Sequence, residues 1–167
     1  MWRVLMATSV ALSVGGSVSD NQMALVGDPC SLLTAADVSK AFGIPADRRS
    51  SATKKDTQFM DACSYEIRSD TLNRPLVVVA VFAIKDLTTL SGRIYTEQHF
   101  GREGWKYEEK TVNGQPCSVG TGPGVASTVA CHRDHGSQRI VVSYEGKSAG
   151  AHASAVASLL ATVATRL

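Results

Sequence analysis

The stretch Leu76–Ala83 reads LVVVAVFA and decides the fold of this chain. All eight of its residues are apolar and four of them are valine. A short, continuous apolar run rich in β-branched side chains is typical of a strand that is covered on both faces. The stretch is therefore predicted to be a central strand, and the chain on either side of it should supply the rest of a sheet.

Alternating apolar and polar residues mark further strands on both sides of this stretch. Cys63, Tyr65 and Ile67 point to one side of the segment 62–68, with polar residues between them, which is the pattern of a half-buried strand. In the second half, Asn113-Gly114 predicts a tight turn. The other predicted strands cover the region from Trp105 to Val112, the residues around Val129 and Cys131, and Arg139 to Glu145, with a turn at Asp134-His135-Gly136 before the last of them.

Helix signals occur before and after these strands. The segment Thr34-Ala35-Ala36-Asp37 has the spacing of a capping box with Thr34 as the N-cap, and Gly43 and Pro45 end the helix soon after Phe42. Near the C-terminus, apolar residues recur at the spacing of an amphipathic packing helix. Its apolar face comprises Val156, Leu159, Leu160, Val163 and Leu167, and another helix is predicted from the spacing of Leu87, Leu90 and Ile94.

The order of these elements predicts the fold class. Each half of the chain reads strand, strand, helix, with a cysteine (Cys63 or Cys131) on the first strand of each pair. We expect an α+β domain in which helices pack mainly on one face of an antiparallel sheet. The same order suggests an internal strand-strand-helix duplication, although few residues are similar between the two halves.

The first 19 residues have the features of a secretion signal peptide. Arg3 gives a positively charged start, the apolar run Val4–Val14 follows, and Ser17 and Ser19 are small residues at the positions that a signal peptidase reads. The run is about half of the roughly 20 apolar residues that a membrane-spanning helix needs. Residues 1–19 are therefore predicted to be removed, and residues 20–167 to form a single exported domain that is periplasmic or secreted.

The charge balance excludes two classes of partner. Without Arg3, 16 of the 17 basic residues remain against 15 acidic residues, so the exported chain is nearly neutral. A neutral chain offers no electrostatic reason to bind nucleic acid or an anionic membrane. No stable membrane anchor is expected either, since no cysteine directly follows the apolar run and the C-terminal helix is rich in Ala, Ser and Thr.

The four cysteines are Cys30, Cys63, Cys117 and Cys131. An even cysteine count in an exported chain indicates disulfides, and four cysteines allow three pairings. We expect the sequential pairing, which would tie the lead-in of the first helix to the first strand and brace the strands of the second half. Zinc is the alternative, but no two cysteines form a CxxC pair, so no metal or other cofactor is expected.

The opening of the predicted domain resembles a known family. The stretch Asp28–Val38 (DPCSLLTAADV) is similar to the start of small exported bacterial domains, best known as actinobacterial lipoproteins of unknown function, which begin Cys-Ser-Leu-Leu-Thr. The similarity continues more loosely through Cys63-Ser64-Tyr65, Val77-Val78-Val79 and Val119-Gly120. The resemblance implies an extracytoplasmic α+β domain with disulfides and no established catalysis. This chain lacks the lipid-bearing cysteine of those lipoproteins.

Patterns that suggest catalysis are weak, and no catalytic residue is predicted. Ser51-Ala52-Thr53-Lys54 matches a Ser-x-x-Lys pattern, but it lies in a polar loop without a Lys-Thr-Gly partner. The glycine-rich stretch 120–124 lacks the Lys-Ser/Thr of a phosphate loop and contains Pro123. The most polar cluster near a predicted hairpin tip is either a surface turn or a partner-contact loop, and comprises His132, Arg133, Asp134 and His135.

These observations favour a non-catalytic binding or interaction domain of the bacterial cell envelope, with an envelope protein or a small ligand of unknown identity as its partner. Its working surface is expected in loops such as 45–57 and 113–125, or in a groove between helix and sheet. The alternative function is an envelope inhibitor or immunity protein that blocks a toxin or a wall-degrading enzyme. An enzyme is the third hypothesis.

Overall fold

The computed structural model describes residues 26–48, 60–68, 75–84, 104–123 and 126–167. These residues form one seven-stranded antiparallel sheet, two α-helices and two short 3-10 turns at Pro29–Ser31 and Ala149–His152. The predicted signal peptide (residues 1–19) and the helix predicted from residues 87–94 lie outside the described residues. The strands are β1 (Ala46–Arg48), β2 (Met60–Ile67), β3 (Leu76–Ala83), β4 (Lys106–Val112), β5 (Gln115–Thr121), β6 (Ala126–His135) and β7 (Gln138–Lys147), and the α-helices are α1 (Ala35–Phe42) and α2 (Ala153–Ala164).

The apolar stretch that opened the sequence analysis is β3, and it pairs along both edges. The strand order is β1-β2-β3-β7-β6-β5-β4, and every neighbouring pair is antiparallel. Val79 of β3 lies directly between Cys63 of β2 and Val142 of β7. The prediction of an α+β domain with a buried, valine-rich interior strand is confirmed.

Both described α-helices lie on one face of the sheet, where they close the hydrophobic core. α1 packs over β1 and β2, and α2 packs over β5, β6 and β7. The predicted apolar face of α2 is buried except for Leu167, which lies beyond the helix end and is 38% exposed. The strands contribute to this core the fully buried side chains of Tyr65, Val77, Val79, Val129, Ile140 and Val142.

The start and end of α1 follow from its sequence. Thr34 Oγ1 accepts a hydrogen bond from the backbone N–H of Asp37 at 3.2 Å, and Asp37 Oδ2 accepts one from the backbone N–H of Thr34 at 2.7 Å. This reciprocal arrangement is the predicted capping box. Gly43 ends the helix with φ +68°, a left-handed conformation that glycine adopts without steric cost.

The segment before α1 crosses the core face of the sheet, and we call residues 26–34 the N-terminal strap. The Cys30–Cys63 disulfide joins the strap to β2 across 33 positions of sequence. Next to it, the buried hydroxyl of Tyr65 donates a hydrogen bond to the backbone carbonyl of Leu33 at 2.5 Å. Burial raises the pKa of this hydroxyl, so it remains a donor.

Two further side chains hold the strap near its ends. The Gln138 side-chain amide accepts from the backbone N–H of Val26 at 2.7 Å and donates to the carbonyl of the same residue at 3.1 Å. Arg166, just after α2, donates from Nη1 to the carbonyl of Leu32 and to Asp37 Oδ2, both at 2.8 Å. The strap is therefore held by β2, β7 and the end of the chain together.

The second disulfide, Cys117–Cys131, joins two strands that already pair with each other. The two cysteines lie directly opposite in the ladder between β5 and β6, and their Cα atoms are 4.0 Å apart. Such a short separation is typical of a non-hydrogen-bonded pair of an antiparallel ladder, where side chains come closest. Both disulfides thus follow the sequential pairing.

Three predictions about the second half and the loops need correction or remain unconfirmed. Residues 46–48 of the predicted loop 45–57 form β1, and residues 49–57 lie outside the described residues. Of the predicted loop 113–125, residues 113–114 are a turn but 115–121 form β5. The internal duplication is not confirmed: four consecutive strands, β4 to β7, precede α2, and the helix predicted to follow β3 lies outside the described residues.

Candidate functional site

The predicted partner-contact loop is the end of a strand and not a turn. His132, Arg133, Asp134 and His135 are the last four residues of β6, and the chain turns at Gly136 and Ser137 instead. The prediction of a turn at Asp134-His135-Gly136 therefore began two residues early. Gly136 has φ +57°, which is the conformation that a tight hairpin requires and that glycine adopts readily.

Because these residues are in a strand, their side chains alternate between the two faces of the sheet. Arg133 lies opposite Ile140, a buried residue of the core that the helices cover. His132 lies opposite Val141, which belongs to a separate apolar cluster. Arg133 and His135 thus share the helix-covered face, whereas His132 and Asp134 lie on the opposite face, which we call the second face.

The second face carries a short apolar strip at the centre of the sheet. Ala80, Phe82 and Val141 form it, and they are 2%, 5% and 7% exposed. Ala62 and Ala130 pack beside the strip and are partly buried. Neither α1 nor α2 lies on this face. The three side chains of the strip are already buried, so the strip belongs to the packing of this face, and the accessible polar groups of the site lie at its hairpin end.

An ion pair closes the hairpin end of the second face. Asp134 and Arg139 lie directly opposite each other in the ladder between β6 and β7. Arg139 donates from Nε and Nη2 to the two carboxylate oxygens of Asp134 at 2.7 and 3.0 Å. These hydrogen bonds lower the pKa of Asp134 and raise that of Arg139, so both stay charged over a wide pH range.

His132 lies between this ion pair and the apolar strip and is half-buried. Burial lowers the pKa of its imidazole, and the positive charge of Arg139 lowers it further. Asp134 and Glu109 act in the opposite direction and do not outweigh these two causes. The imidazole is therefore neutral at pH 7, and it offers one donor and one acceptor to a contacting molecule.

A second described histidine, His152, is in a different environment. His152 lies just before α2, and its ring centroid is 5.3 Å from that of Phe42 and 4.8 Å from that of Tyr144. It packs at the helix-covered face and does not join His132. Within residues 26–48, 60–68, 75–84, 104–123 and 126–167, no three His, Cys, Asp or Glu side chains come together as metal ligands. His99 and the Ser51–Lys54 pattern lie outside those ranges.

Two members of the site, Arg139 and Glu109, were not predicted from the sequence. A signal for Arg139 exists, because Asp134 and Arg139 carry opposite charges at equal distances from the hairpin turn, and such residues face each other across a hairpin. Glu109 lies two strands away on β4, and its approach to His132 depends on the order of the strands. No local sequence pattern reports that order.

Comparison with known proteins finds no matching family model, no matching curated protein and no matching solved structure. Among the described helices, none is long and apolar enough to cross a membrane.

Proposed function

We propose that this protein is an exported, disulfide-braced domain of the bacterial cell envelope that binds a partner and has no catalytic activity of its own. The observation that supports this most is the hairpin end of the second face. There a neutral, half-buried His132 lies beside the bidentate Asp134–Arg139 pair and next to an apolar strip. Polar and charged side chains at fixed positions, supported from below by packed apolar residues, are typical of the rim of a protein interface.

Two features support export. The chain contains two disulfides, which persist in oxidising compartments and are rare in the cytosol. Residues 1–19 have the composition of a signal peptide, and the stretch from Asp28 to Val38 resembles exported lipoprotein domains. On this proposal, residues 1–19 are removed and the domain is periplasmic or secreted.

The chemistry of the described side chains supports binding over catalysis. All four cysteines are in disulfides, so no thiol nucleophile is present. Asp134 is held by Arg139 and makes no hydrogen bond to His132 in the structure, so it does not orient the imidazole as the acid of a catalytic triad does. The site offers hydrogen bonds and charge at fixed positions, which is what recognition needs.

The envelope inhibitor or immunity protein is the second candidate. Its support is rigidity, since the Cys117–Cys131 disulfide, the Asp134–Arg139 ion pair and the contact of Gln138 with the strap hold the hairpin end before any partner arrives. A preformed surface loses little conformational entropy on binding, and tight inhibitors depend on this. The two candidates differ in the partner. An inhibitor binds a target protein tightly at fixed stoichiometry, whereas a binding domain can also take a small ligand.

The test is native mass spectrometry of the protein purified from the cell exterior or periplasm, followed by affinity capture from an envelope extract. We expect a mature chain without residues 1–19, with both disulfides, and in complex with a partner. An additional small mass that is lost on denaturation indicates a small-ligand binder, and a stoichiometric protein complex indicates an inhibitor.

Variants assign the binding to the site. His132→Ala and Arg139→Gln should weaken the complex, while Ser154→Ala on the exposed side of α2 should leave it unchanged. A chain that captures no partner and carries no ligand, or one that keeps its complex in both site variants, contradicts the proposal. A full-length, fully reduced chain contradicts the proposed compartment.

A further inference from the structure

The described arginines differ in what their guanidinium groups contact. Three of the five form bidentate pairs with aspartates. Arg48, at the end of β1, is exposed, so water can solvate its charge. Arg133 is neither paired with a carboxylate nor fully solvated. The three pairs are Arg68 with Asp47, Arg139 with Asp134 and Arg166 with Asp37.

Arg133 is half-buried on the helix-covered face near the end of β6. Its Nε is shielded from solvent and has no hydrogen-bond partner, whereas its two Nη nitrogens are not shielded. Among the residues that the structure describes, no oxygen accepts a hydrogen bond from this guanidinium. A buried donor without an acceptor costs free energy, because its hydration is lost and nothing replaces it.

The partly desolvated position also makes Arg133 a stronger anion-binding group than an arginine on the open surface. Coulomb attraction grows as water is excluded, and exposed pairs contribute little because water and salt screen them. Arg166 shows the geometry that such a group can use, since its two Nη nitrogens contact the two carboxylate oxygens of Asp37 at 2.8 and 3.0 Å. Arg133 presents the same pair of terminal nitrogens with no carboxylate on them.

We propose that Arg133 anchors the partner by binding a carboxylate end-on through its two Nη nitrogens. The inference rests on the proposed binding function and names the chemistry of the partner, an acidic side chain on a protein surface. A carboxylate fits better than a phosphate group, since one guanidinium balances its single negative charge and a phosphate carries about −1.5 to −2. Buried arginines that pair with a partner are frequent hot spots of interfaces.

The position of Arg133 also predicts how the partner approaches. Arg133 and His132 are consecutive residues whose side chains lie on opposite faces of the sheet, at the end where the hairpin between β6 and β7 turns. A partner that contacts both must straddle this hairpin. A flat contact with the second face alone would leave Arg133 without its carboxylate.

The first experiment is proton–nitrogen NMR of the arginine side chains in the disulfide-intact protein, with acetate as the small carboxylate and a hexaglutamate peptide as the protein-like one. At constant ionic strength, both should shift the Arg133 guanidinium resonances, and Arg133→Met should remove the response. Arg48→Met loses the same charge from an exposed site and is the matched control. Equal shifts of Arg48 and Arg133, or tighter binding of inorganic phosphate than of acetate, overturn the inference.

The second experiment uses the protein partner captured from envelope extract. We expect Arg133→Met and Arg133→Lys to weaken that complex at least about tenfold, because lysine keeps the charge but loses the paired nitrogens. Arg48→Met should bind like the natural protein. Equal binding by the Arg133 variants overturns the anchor while the binding function stands. Absence of any partner contradicts the binding function, and the acetate titration then still decides whether Arg133 binds carboxylates.

Discussion

The two disulfides of this chain stabilise regions that differ in almost every other respect. Cys30–Cys63 joins an irregular strap to β2, across 33 positions of sequence. Cys117–Cys131 joins β5 to β6, whose backbones already pair along a ladder, across 14 positions. The first disulfide holds a segment that has no backbone pairing of its own, whereas the second joins strands that are already paired through their backbones.

The difference shows where this fold depends on side chains and where it depends on backbone. Without a ladder of its own, the strap is fixed by a disulfide, a tyrosine hydroxyl, a glutamine amide and an arginine that reach it from other elements. The hairpins of the second half are fixed mainly by continuous backbone pairing. Single substitutions should therefore affect the strap more than the hairpins.

Removing each disulfide should cause the largest losses of stability and tests this comparison directly. Chain-entropy arithmetic gives a loss of about 4 kcal/mol for Cys30→Ala/Cys63→Ala and about 3 kcal/mol for Cys117→Ala/Cys131→Ala, since the first loop is longer. Urea unfolding of both double variants measures these free energies. Hydrogen exchange should rise throughout the strap in the first variant, while the ladder between β5 and β6 stays protected in the second. A larger loss from the second pair would contradict the comparison.

Tyr65→Phe should have the next largest effect. It removes the donor to the Leu33 carbonyl and leaves a buried acceptor unsatisfied, which costs about 1 to 3 kcal/mol. Tyr144→Phe is the matched control, because Tyr144 is also buried and no described residue accepts a hydrogen bond from its hydroxyl. Thermal and urea unfolding of the two variants give the difference. If both lose the same stability, the hydroxyl of Tyr65 does not hold the strap.

Acidification tests the arginine that holds the strap. Hydrogen bonds from Arg166, and then those from Thr34, hold the pKa of Asp37 well below its usual value of 3.8, against the effect of burial. A carboxyl group with a lowered pKa stabilises the folded state above its unfolded pKa, and that contribution is lost as the pH falls below about 4.

Between pH 6 and pH 3 the natural protein should therefore lose about 1 kcal/mol more than Asp37→Asn, a value kept modest because the side chain contacts solvent. Asp47→Asn is the control, since the Asp47–Arg68 pair is exposed and does not touch the strap. The measurement is the urea midpoint as a function of pH. An identical pH dependence of Asp37→Asn and the natural protein would show that the Arg166–Asp37 ion pair contributes nothing to stability.

The smallest effect is expected for Gln138→Ala. The substitution removes two hydrogen bonds to the Val26 backbone that are only partly buried, so that water can replace them and the global loss should be under about 1 kcal/mol. The local effect should be clear, with faster hydrogen exchange at Val26 and no change at Cys30. Unchanged exchange at Val26 would mean that the strap is held without this amide.

The parts of the fold that local patterns describe are also the parts that sequence predicts. The valine-rich run of β3, the alternation in β2 and the capping box of α1 each need only a few adjacent residues, and all three are present. β5 was missed because Gln115–Thr121 contains proline and glycine and does not alternate. A contact between strands requires glycine at position 120, since a Cβ there would lie 2.6 Å from the ring of Tyr107 on the neighbouring strand.

The site was predictable in position but not in arrangement. The residues 132–135 are polar and close to a hairpin, as their composition indicates, but the extension of β6 by two residues separates their side chains onto two faces. The ion pair of Arg166 with Asp37 joins residues 129 positions apart, and the hydrogen bonds of Gln138 with Val26 join residues 112 positions apart. Contacts at such separations follow from the tertiary arrangement of elements distant in sequence, which no local pattern encodes.

The place of β3 in the sheet has a consequence for how the chain folds. Synthesis proceeds from the N-terminus, so β3 emerges long before β7, the strand that covers its second edge. Until Gln138–Lys147 arrives, a valine-rich strand has an open edge, which is the feature that recruits other chains into aggregates. Contacts between distant segments also form slowly. The chain therefore depends, during its synthesis, on reaching its last strand before another molecule pairs with β3.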